Sequence, residues 1–144
     1  MENSDTRKLL QECDAGAKMA VTSIDEVLEK VCDSDMKHLL QESKKHHEKL
    51  GNEIHSLLDR CDTDEKDPSP MAKGMSWLKT NVKLGMDNSD ATVADLITDG
   101  CNMGIKSLNK YLNEYEQADS SAKRLCKELT DIEEQLCTKL ERYL

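Results

Sequence analysis

The chain contains few aromatic residues and few residues that break helices. Of its 144 residues only 3 % are aromatic, phenylalanine is absent and proline occurs twice. Sheet cores draw on aromatic and β-branched side chains, whereas an interior of Leu, Ile, Val, Met and Ala suits helix-on-helix packing. A chain of this length forms one domain of ordinary size, so we expect a single all-α domain over residues 1–144.

Long apolar runs and an excess of positive charge are also missing. No stretch approaches the roughly 20 apolar residues that cross a bilayer, and the N-terminal MENSDTRKLL lacks the apolar segment of a signal peptide. The net charge is −9, whereas nucleic acids and anionic membranes are bound by basic surfaces. We therefore expect a cytoplasmic protein that binds neither nucleic acid nor a membrane.

Short motifs that would indicate an enzyme are absent from the sequence. There is no C-x-x-C, no zinc-type Cys/His spacing, no Gly-rich phosphate loop and no G-x-S-x-G elbow. The six cysteines are Cys13, Cys32, Cys61, Cys101, Cys126 and Cys137. Because an intracellular chain with this much core keeps its thiols reduced, we expect free and mostly buried cysteines rather than disulfides.

An internal repeat is the strongest pattern that the sequence does contain. Residues 33–58 align with residues 119–144 at an offset of 86, and eight positions match, among them Asp33 with Asp119 and Leu50 with Leu136. The motif C-x-x-G-x-K also occurs twice, from Cys13 and from Cys101, at an offset of 88. The repeat predicts two helical hairpins of the same design, each entering its second helix through an Asp-Ser cap.

Apolar periodicity places the helices. We predict helices over residues 4–31, 35–60, 89–117 and from 120 onward, which gives one hairpin over 4–60 and another over 89–144. The crossover, residues 61–88, is predicted to hold a short fifth helix over 70–84 that carries Trp77. The predicted core-facing line of the second helix is Met36, Leu39, Ser43, His46, Leu50, Ile54 and Leu57. That of the last helix is Ala122, Leu125, Leu129, Ile132, Leu136 and Leu140.

Four segments carry a resemblance to a family. They are LLQECDAGAKMAV, DSDMKHLLQES, MAKGMSWLKTNVKLGM and DGCNMGIKSLNKYLNEY, in chain order. In length and order they resemble the uncharacterised bacterial four-helix proteins of the ferritin-like superfamily, over residues 8–140. The resemblance implies a ferritin-like four-helix bundle of two antiparallel hairpins joined by a long crossover, and it implies no particular reaction.

The resemblance also implies where a di-iron site would lie. Ferritin-like di-iron proteins place one Glu on each of two helices and Glu-x-x-His on each of the other two, since residues i and i+3 share a helix face. This chain has Glu42-x-x-Lys45 on its second helix and Glu128-x-x-Asp131 on its last. A lysine ammonium offers no lone pair to a metal. We therefore expect the paired metal site to be lost and the protein not to be an enzyme.

Two smaller sites are candidates on sequence grounds. Glu12, Glu42 and His46 would hold a single Fe or Zn ion if they converge; the alternative is that they form a solvated flank and no cofactor binds. Cys13 and Cys101 are either a thiol pair for redox work or small residues that let two helices approach.

The functional expectation is a non-enzymatic module of unassigned role that interacts with a protein partner or with itself as a homo-oligomer, such as a dimer. The face of the crossover helix around Trp77 is the predicted contact surface. The alternatives are a single-ion metal-binding protein and a thiol-based redox or stress protein.

Overall fold

The computed structural model describes residues 4–61 and 89–144. Over these residues the fold is all-α, with helices α1 (Ser4–Leu28), α2 (Ser34–Arg60), α3 (Asp90–Glu114) and α4 (Ser120–Leu140), followed by a short 3₁₀ helix, Glu141–Tyr143. The predicted crossover helix, with Trp77, lies outside the described residues. None of the four α-helices described is long and apolar enough to cross a membrane.

Side-chain caps begin three of the helices, as the sequence predicts. The carboxyl of Asp33 accepts the amide of Met36 at 2.8 Å, and the carboxyl of Asp119 accepts the amide of Ala122 at 2.9 Å. Ser89 caps α3 in the same way through the amide of Thr92. The two aspartates are repeat partners, so the predicted use of one turn design in both hairpins is confirmed.

The helices pack as two hairpins, α1 with α2 and α3 with α4, and α1 also lies against α3 while α2 lies against α4. Each hairpin reverses direction within a few residues, so its two helices are antiparallel. Residues from the start of α1 meet the end of the second hairpin's first helix, so α1 and α3 are antiparallel as well. The order is therefore up, down, down, up, and residues 62–88 join opposite ends of the bundle.

Each hairpin turn is held by the other hairpin. At one end Asp90, the first residue of α3, accepts the amide of Cys32 at 2.8 Å and the amide of Asp33 at 2.9 Å. These amides stand in the α1–α2 turn and lack partners within a helix. The carboxylate therefore joins the two hairpins through charge-assisted hydrogen bonds.

The opposite end repeats this arrangement. Asp5 accepts the amide of Gln117 at 3.0 Å, and the Thr6 hydroxyl accepts the amide of Asp119 at 2.8 Å. Next to these turns, α1 and α3 each end three residues earlier than the periodicity predicts, at Leu28 and Glu114. The reciprocal contacts join the two hairpins at both ends of the bundle.

The apolar interior forms two clusters. The first cluster lies towards the start of α1 and contains Leu9, Leu10, Cys13, Ala17, Leu50, Ile54, Leu58, Leu108, Ala118, Ala122, Leu125, Cys126 and Leu129. The second lies towards the opposite end and contains Ile24, Val27, Val31, Met36, Leu40, Val93, Ala94, Ile97, Cys101, Leu136 and Leu140. Burial of each Leu or Ile contributes about 1.5–3 kcal/mol of transfer free energy.

The predicted core-facing line of α2 is partly wrong. The buried residues of this helix are Met36, Leu40, Ser43, His47, Leu50, Ile54 and Leu58. The prediction is therefore one residue early at three positions, the most important being His46, which is exposed, whereas His47 is 1 % exposed. Both lines alternate steps of three and four residues, so the period alone does not separate them.

The predicted line of α4 errs in the same direction. The helix was expected to be apolar throughout its inner face, but Glu133 and Thr130 are buried there and Ile132 is only partly buried. The Glu133 carboxyl is thus buried in the interior, at a position outside the predicted apolar line.

Candidate functional site

Five buried polar residues form a layer between the two apolar clusters. This layer, the polar belt, consists of Ser23, Ser43, His47, Thr130 and Glu133. Buried polar groups are unfavourable unless they find partners, because each has lost its hydrogen bonds to water. The belt is therefore the part of the described interior in which chemistry other than packing is concentrated.

The two ionisable members of the belt are repeat partners. His47 and Glu133 are separated by 133 − 47 = 86 residues, the same offset that relates Asp33 to Asp119 (119 − 33 = 86). Because α2 and α4 are equivalent helices that pack against each other, equivalent positions near the middle meet across the interface. The repeat has thus placed a base and an acid at the centre of the bundle, one from each half.

The orientation of His47 is set by its own helix. Its Nδ1 lies 2.8 Å from the backbone carbonyl oxygen of Ser43, one turn earlier. A carbonyl can only accept, so Nδ1 carries a proton and donates it. In the neutral imidazole Nε2 is then the bare acceptor, and it points towards α4.

Glu133 faces that nitrogen. Its Oε1 lies 3.8 Å from His47 Nε2, and the side chains of His47 and Glu133 are 1 % and 6 % exposed. Burial raises the pKa of the Glu133 carboxyl, and the facing imidazole offsets part of the rise. A bare nitrogen lone pair and a carboxylate repel each other, so the stable arrangement keeps one proton on either the imidazole or the carboxyl.

A glycine on α3 makes room for the carboxyl. A Cβ built on Gly104 would lie 3.0 Å from Glu133 Oε1 and closer still to Oε2. Any larger residue at this position would displace the carboxyl from its place opposite His47. Gly104 is the glycine of the second C-x-x-G-x-K motif, and the group that approaches it is the Glu133 side chain.

A cavity of about 40 Å³ opens beside the pair. Its polar lining comes from Ser23, His47, Cys101 and Glu133, and the remaining lining is mainly apolar. Nε2 of His47 and Oε2 of Glu133 have no hydrogen-bond partner within the described part of the chain. A space of this size takes a water molecule or one ion, whereas pockets for organic ligands are roughly 300–1,000 Å³.

The structure does not bring together the residues of the predicted single-ion site. Gly51 lies against Ala17, so in the antiparallel hairpin Glu12 is level with about residue 56 of α2. Glu42 is then about 20 Å, and His46 about 15 Å, from Glu12 along the bundle axis, at ~1.5 Å per residue.

Each of these three side chains has different surroundings. Glu12 is half-buried beside Tyr111 of α3; burial raises its pKa, and a hydrogen bond with Tyr111 offsets part of the rise. Glu42 faces Lys45 on its own helix at 3.8 Å, and His46 is exposed. Among the residues described, no group of three or more His, Cys, Asp or Glu side chains is placed to hold a metal ion.

Three of the six cysteines, Cys13, Cys101 and Cys126, are buried. The predicted pair of Cys13 and Cys101 is not formed, because Cys13 belongs to the first apolar cluster and Cys101 to the second. Each instead has a cysteine of α4 as its neighbour, Cys126 for Cys13 and Cys137 for Cys101. The neighbouring thiol, together with burial, raises the pKa of the Cys13 and Cys101 thiols.

Sequence reasoning missed His47 and Glu133, although the signal was present. The offset of 86 aligns them directly, and an acid aligned with a histidine at the same step of two paired helices indicates a contact across the repeat axis. The predicted core-facing line of α2 passes through positions 36, 39, 43 and 46, whereas the buried line passes through 36, 40, 43 and 47. The prediction therefore places His46 in the interior and misses the contact between His47 and Glu133.

Replacement of Gly104 by Ala tests whether the carboxyl needs the space above this glycine. We expect G104A to lose about 1–3 kcal/mol of unfolding free energy, since the added methyl displaces a buried group. Gly100 is the matched control, because a Cβ there meets nothing within 4 Å, and G100A should gain about 0.5–1 kcal/mol. Urea denaturation measures both; equal effects of the two variants would contradict this role of Gly104.

Replacement of Glu133 by Gln tests the proton assignment. The pKa of the Glu133 carboxyl in the folded state is raised above its ordinary value of 4.5. The protonated carboxyl therefore stabilises the fold at low pH, and this contribution is lost as the pH rises through the folded-state pKa. Wild type should therefore lose stability relative to E133Q as the pH rises above 4.5, by about 1.4 kcal/mol for each tenfold gain in proton affinity.

The control for the pH series is Glu134, the exposed neighbour of Glu133. E134Q makes the same substitution, but at the surface instead of in the interior. Besides His47, the groups facing Glu133 are the thiols of Cys101, Cys126 and Cys137, which ordinarily titrate near pH 8.5, above the range measured. A gain of wild-type stability over E133Q with rising pH would mean that His47 instead favours the carboxylate.

The bundle is similar to a solved structure, that of the conserved hypothetical protein Rv2844 from Mycobacterium tuberculosis. The TM-score is 0.73, the sequence identity is 13 %, and the match covers 100 % of each chain. At this identity the likeness concerns the fold alone. No family model and no curated protein matches the chain. The comparisons thus support a four-helix bundle of unassigned function.

Proposed function

We propose that the chain is a ferritin-like bundle that has lost the paired metal centre and works as a non-enzymatic interaction module, with its own copies or with another protein as partner. The proposal rests on one observation: the groups of the polar belt that could ligate a metal are one imidazole and one carboxyl. The up, down, down, up order of the helices, which needs a long connection over residues 62–88, supports the ferritin-like topology.

The residues around the pair do not fit two metal ions. In a Glu-x-x-His pattern ending at His47 the carboxylate position is Lys44, which forms an ion pair with Asp25 of α1. Three residues before Glu133 stands Thr130, whose hydroxyl donates to the Cys126 carbonyl at 2.9 Å. Neither position supplies a carboxylate.

The other two helices add no acidic donor to the belt. α1 contributes Ser23, and α3 contributes Gly100, Cys101 and Gly104 around the cavity and the carboxyl. Two ions held between helices require several carboxylates to balance their charge. A paired site therefore has neither the ligands nor the charge that it needs here.

The small size of the cavity beside the pair, within the described part of the chain, supports a role at the surface. The cavity beside the pair is about 40 Å³, which suits a water molecule and no organic substrate. A buried polar pair can fix which of several similar packings a bundle adopts, as polar core residues do in coiled coils. We infer that the pair sets the register of the two hairpins while the acidic surface meets the partner.

A second candidate function is the binding of a single cation at the pair. One observation favours it: His47 Nε2 and Glu133 Oε2 are buried, lack hydrogen-bond partners among the described residues and adjoin the same cavity. A histidine whose Nδ1 donates to a backbone carbonyl, as His47 does, has the orientation usual for metal ligation through Nε2. Two protein ligands make a weak site, so this candidate ranks second.

Native mass spectrometry tests both candidates at once, since it reports bound metal and oligomer size together. The untagged full-length chain would be measured alone and with Fe²⁺, Zn²⁺ or Mn²⁺. The module proposal predicts no metal-dependent mass change and a dimer or larger assembly, or a monomer that forms a complex with a protein from the source cell. Two ions per chain would contradict it.

The matched variants are H47Q and H46Q, which alter adjacent histidines of opposite exposure. Single-cation binding predicts one ion per chain in wild type and in H46Q, and none in H47Q. Equal metal uptake by all three proteins would show surface binding and remove the second candidate. Denaturant curves on each variant confirm that the protein measured is folded.

A further inference from the structure

We propose that Cys101 and Cys137 form a peroxide-sensitive thiol pair that closes to a disulfide between α3 and α4. The inference goes beyond the proposed module function and does not depend on it. It rests on where the two sulfur atoms lie, on the access of solvent to one of them, and on a second thiol pair in the same chain that lacks this access.

The position of Cys137 is fixed by groups on either side of Cys101. The Cys137 Sγ lies 3.7 Å from the Asn102 side-chain oxygen and 3.9 Å from the Thr98 carbonyl oxygen. Thr98 and Asn102 are one turn apart on α3, and Cys101 stands between them in the chain. The Cys101 and Cys137 thiols are neighbours across the hairpin, so a sulfur–sulfur bond would join adjacent side chains.

The two sulfur atoms differ in exposure. Cys137 is partly exposed and its contact with Asn102 is at the surface, whereas Cys101 is 7 % exposed and lines the cavity beside Glu133. A small oxidant can therefore reach Cys137 from solvent, and the Cys101 thiol lies further inside the bundle. The neighbouring Cys137 thiol, together with burial, raises the pKa of Cys101, and Cys137 is the more accessible of the two thiols.

The reaction balances with hydrogen peroxide as the oxidant. The Cys137 thiolate attacks one peroxide oxygen; an S–O bond forms, the O–O bond breaks, and the leaving hydroxide takes up the thiol proton as water. The Cys101 sulfur then attacks the Cys137 sulfenic acid; the S–S bond forms, the S–O bond breaks, and the departing hydroxide takes the Cys101 proton. The two thiols together lose two electrons, peroxide gains them, and two waters are released.

The chain contains its own control for this chemistry. Cys13 and Cys126 form an equivalent pair of neighbouring thiols between α1 and α4. Both are 0 % exposed in the first apolar cluster, where the Cys126 thiol donates to the Leu108 carbonyl at 3.6 Å. Because the oxidant does not reach these two buried thiols from solvent, we expect them to stay reduced although they are neighbours. Cys32 is exposed, so it controls for the general reactivity of a surface thiol.

The test is brief treatment of the folded full-length protein with a small excess of hydrogen peroxide, followed by alkylation of remaining thiols and peptide mapping by mass spectrometry. We expect a peptide cross-linked between Cys101 and Cys137, with the mass of two hydrogens lost, and full reversal by a dithiol reductant. The cross-link should form at least tenfold faster than any between Cys13 and Cys126. The oxidised protein should also show a higher denaturation midpoint.

Three single variants, C101S, C137S and C32S, complete the test. In C101S the sulfenic acid on Cys137 should persist and react with dimedone, in C137S peroxide consumption should fall to the level of the surface thiol, and C32S should behave as wild type. Circular dichroism on each variant establishes that it is folded. Oxidation confined to Cys32, a cross-link between Cys13 and Cys126 at a comparable rate, or overoxidised Cys137 with no cross-link in wild type would each overturn the proposal.

Discussion

The His47 imidazole and the Glu133 carboxyl face each other across the α2–α4 interface, 3.8 Å apart and almost fully shielded from water. Breaking such a pair by removal of one partner ordinarily costs about 3–5 kcal/mol, because the remaining charge is left buried. The surrounding structure follows from this constraint. Gly104 leaves space for the carboxyl, the Ser43 carbonyl orients the imidazole, and the apolar core is divided into two clusters with the polar belt between them.

The repeat explains how a chain comes to hold an acid opposite a base at its centre. Two equivalent hairpins related by an approximate twofold bring equivalent positions together near the axis, and identical residues there would place like charges in contact. At this central pair of positions the halves differ, with His47 in one and Glu133 in the other, whereas Asp33 and Asp119 are identical caps. The same relation appears at the ends, where Asp90 holds one hairpin turn and Asp5 holds the other.

Much of the fold was predictable, because helix caps and apolar periods are local properties of the chain. The four long helices, the capping roles of Asp33, Ser89 and Asp119, and the pairing into two hairpins follow from such signals and are confirmed. The centre of the bundle was not predictable in this way. His46 and His47 fit the helical period equally well, and only the opposite helix determines which of them is buried. The partners of Cys13 and Cys101 likewise depend on how α4 packs, and no spacing within α1 or α3 encodes them.

The central claim is that the Ser43 carbonyl orients the His47 imidazole, with the ring proton on Nδ1 and with Nε2 facing Glu133. Site-resolved ¹⁵N NMR of the histidine rings measures this directly, because protonated and bare ring nitrogens differ widely in chemical shift, and the exposed His46 gives an internal reference in the same spectrum. The account predicts that Nδ1 of His47 carries a proton in the folded protein. A neutral His47 with its proton on Nε2 and a bare Nδ1 would contradict it.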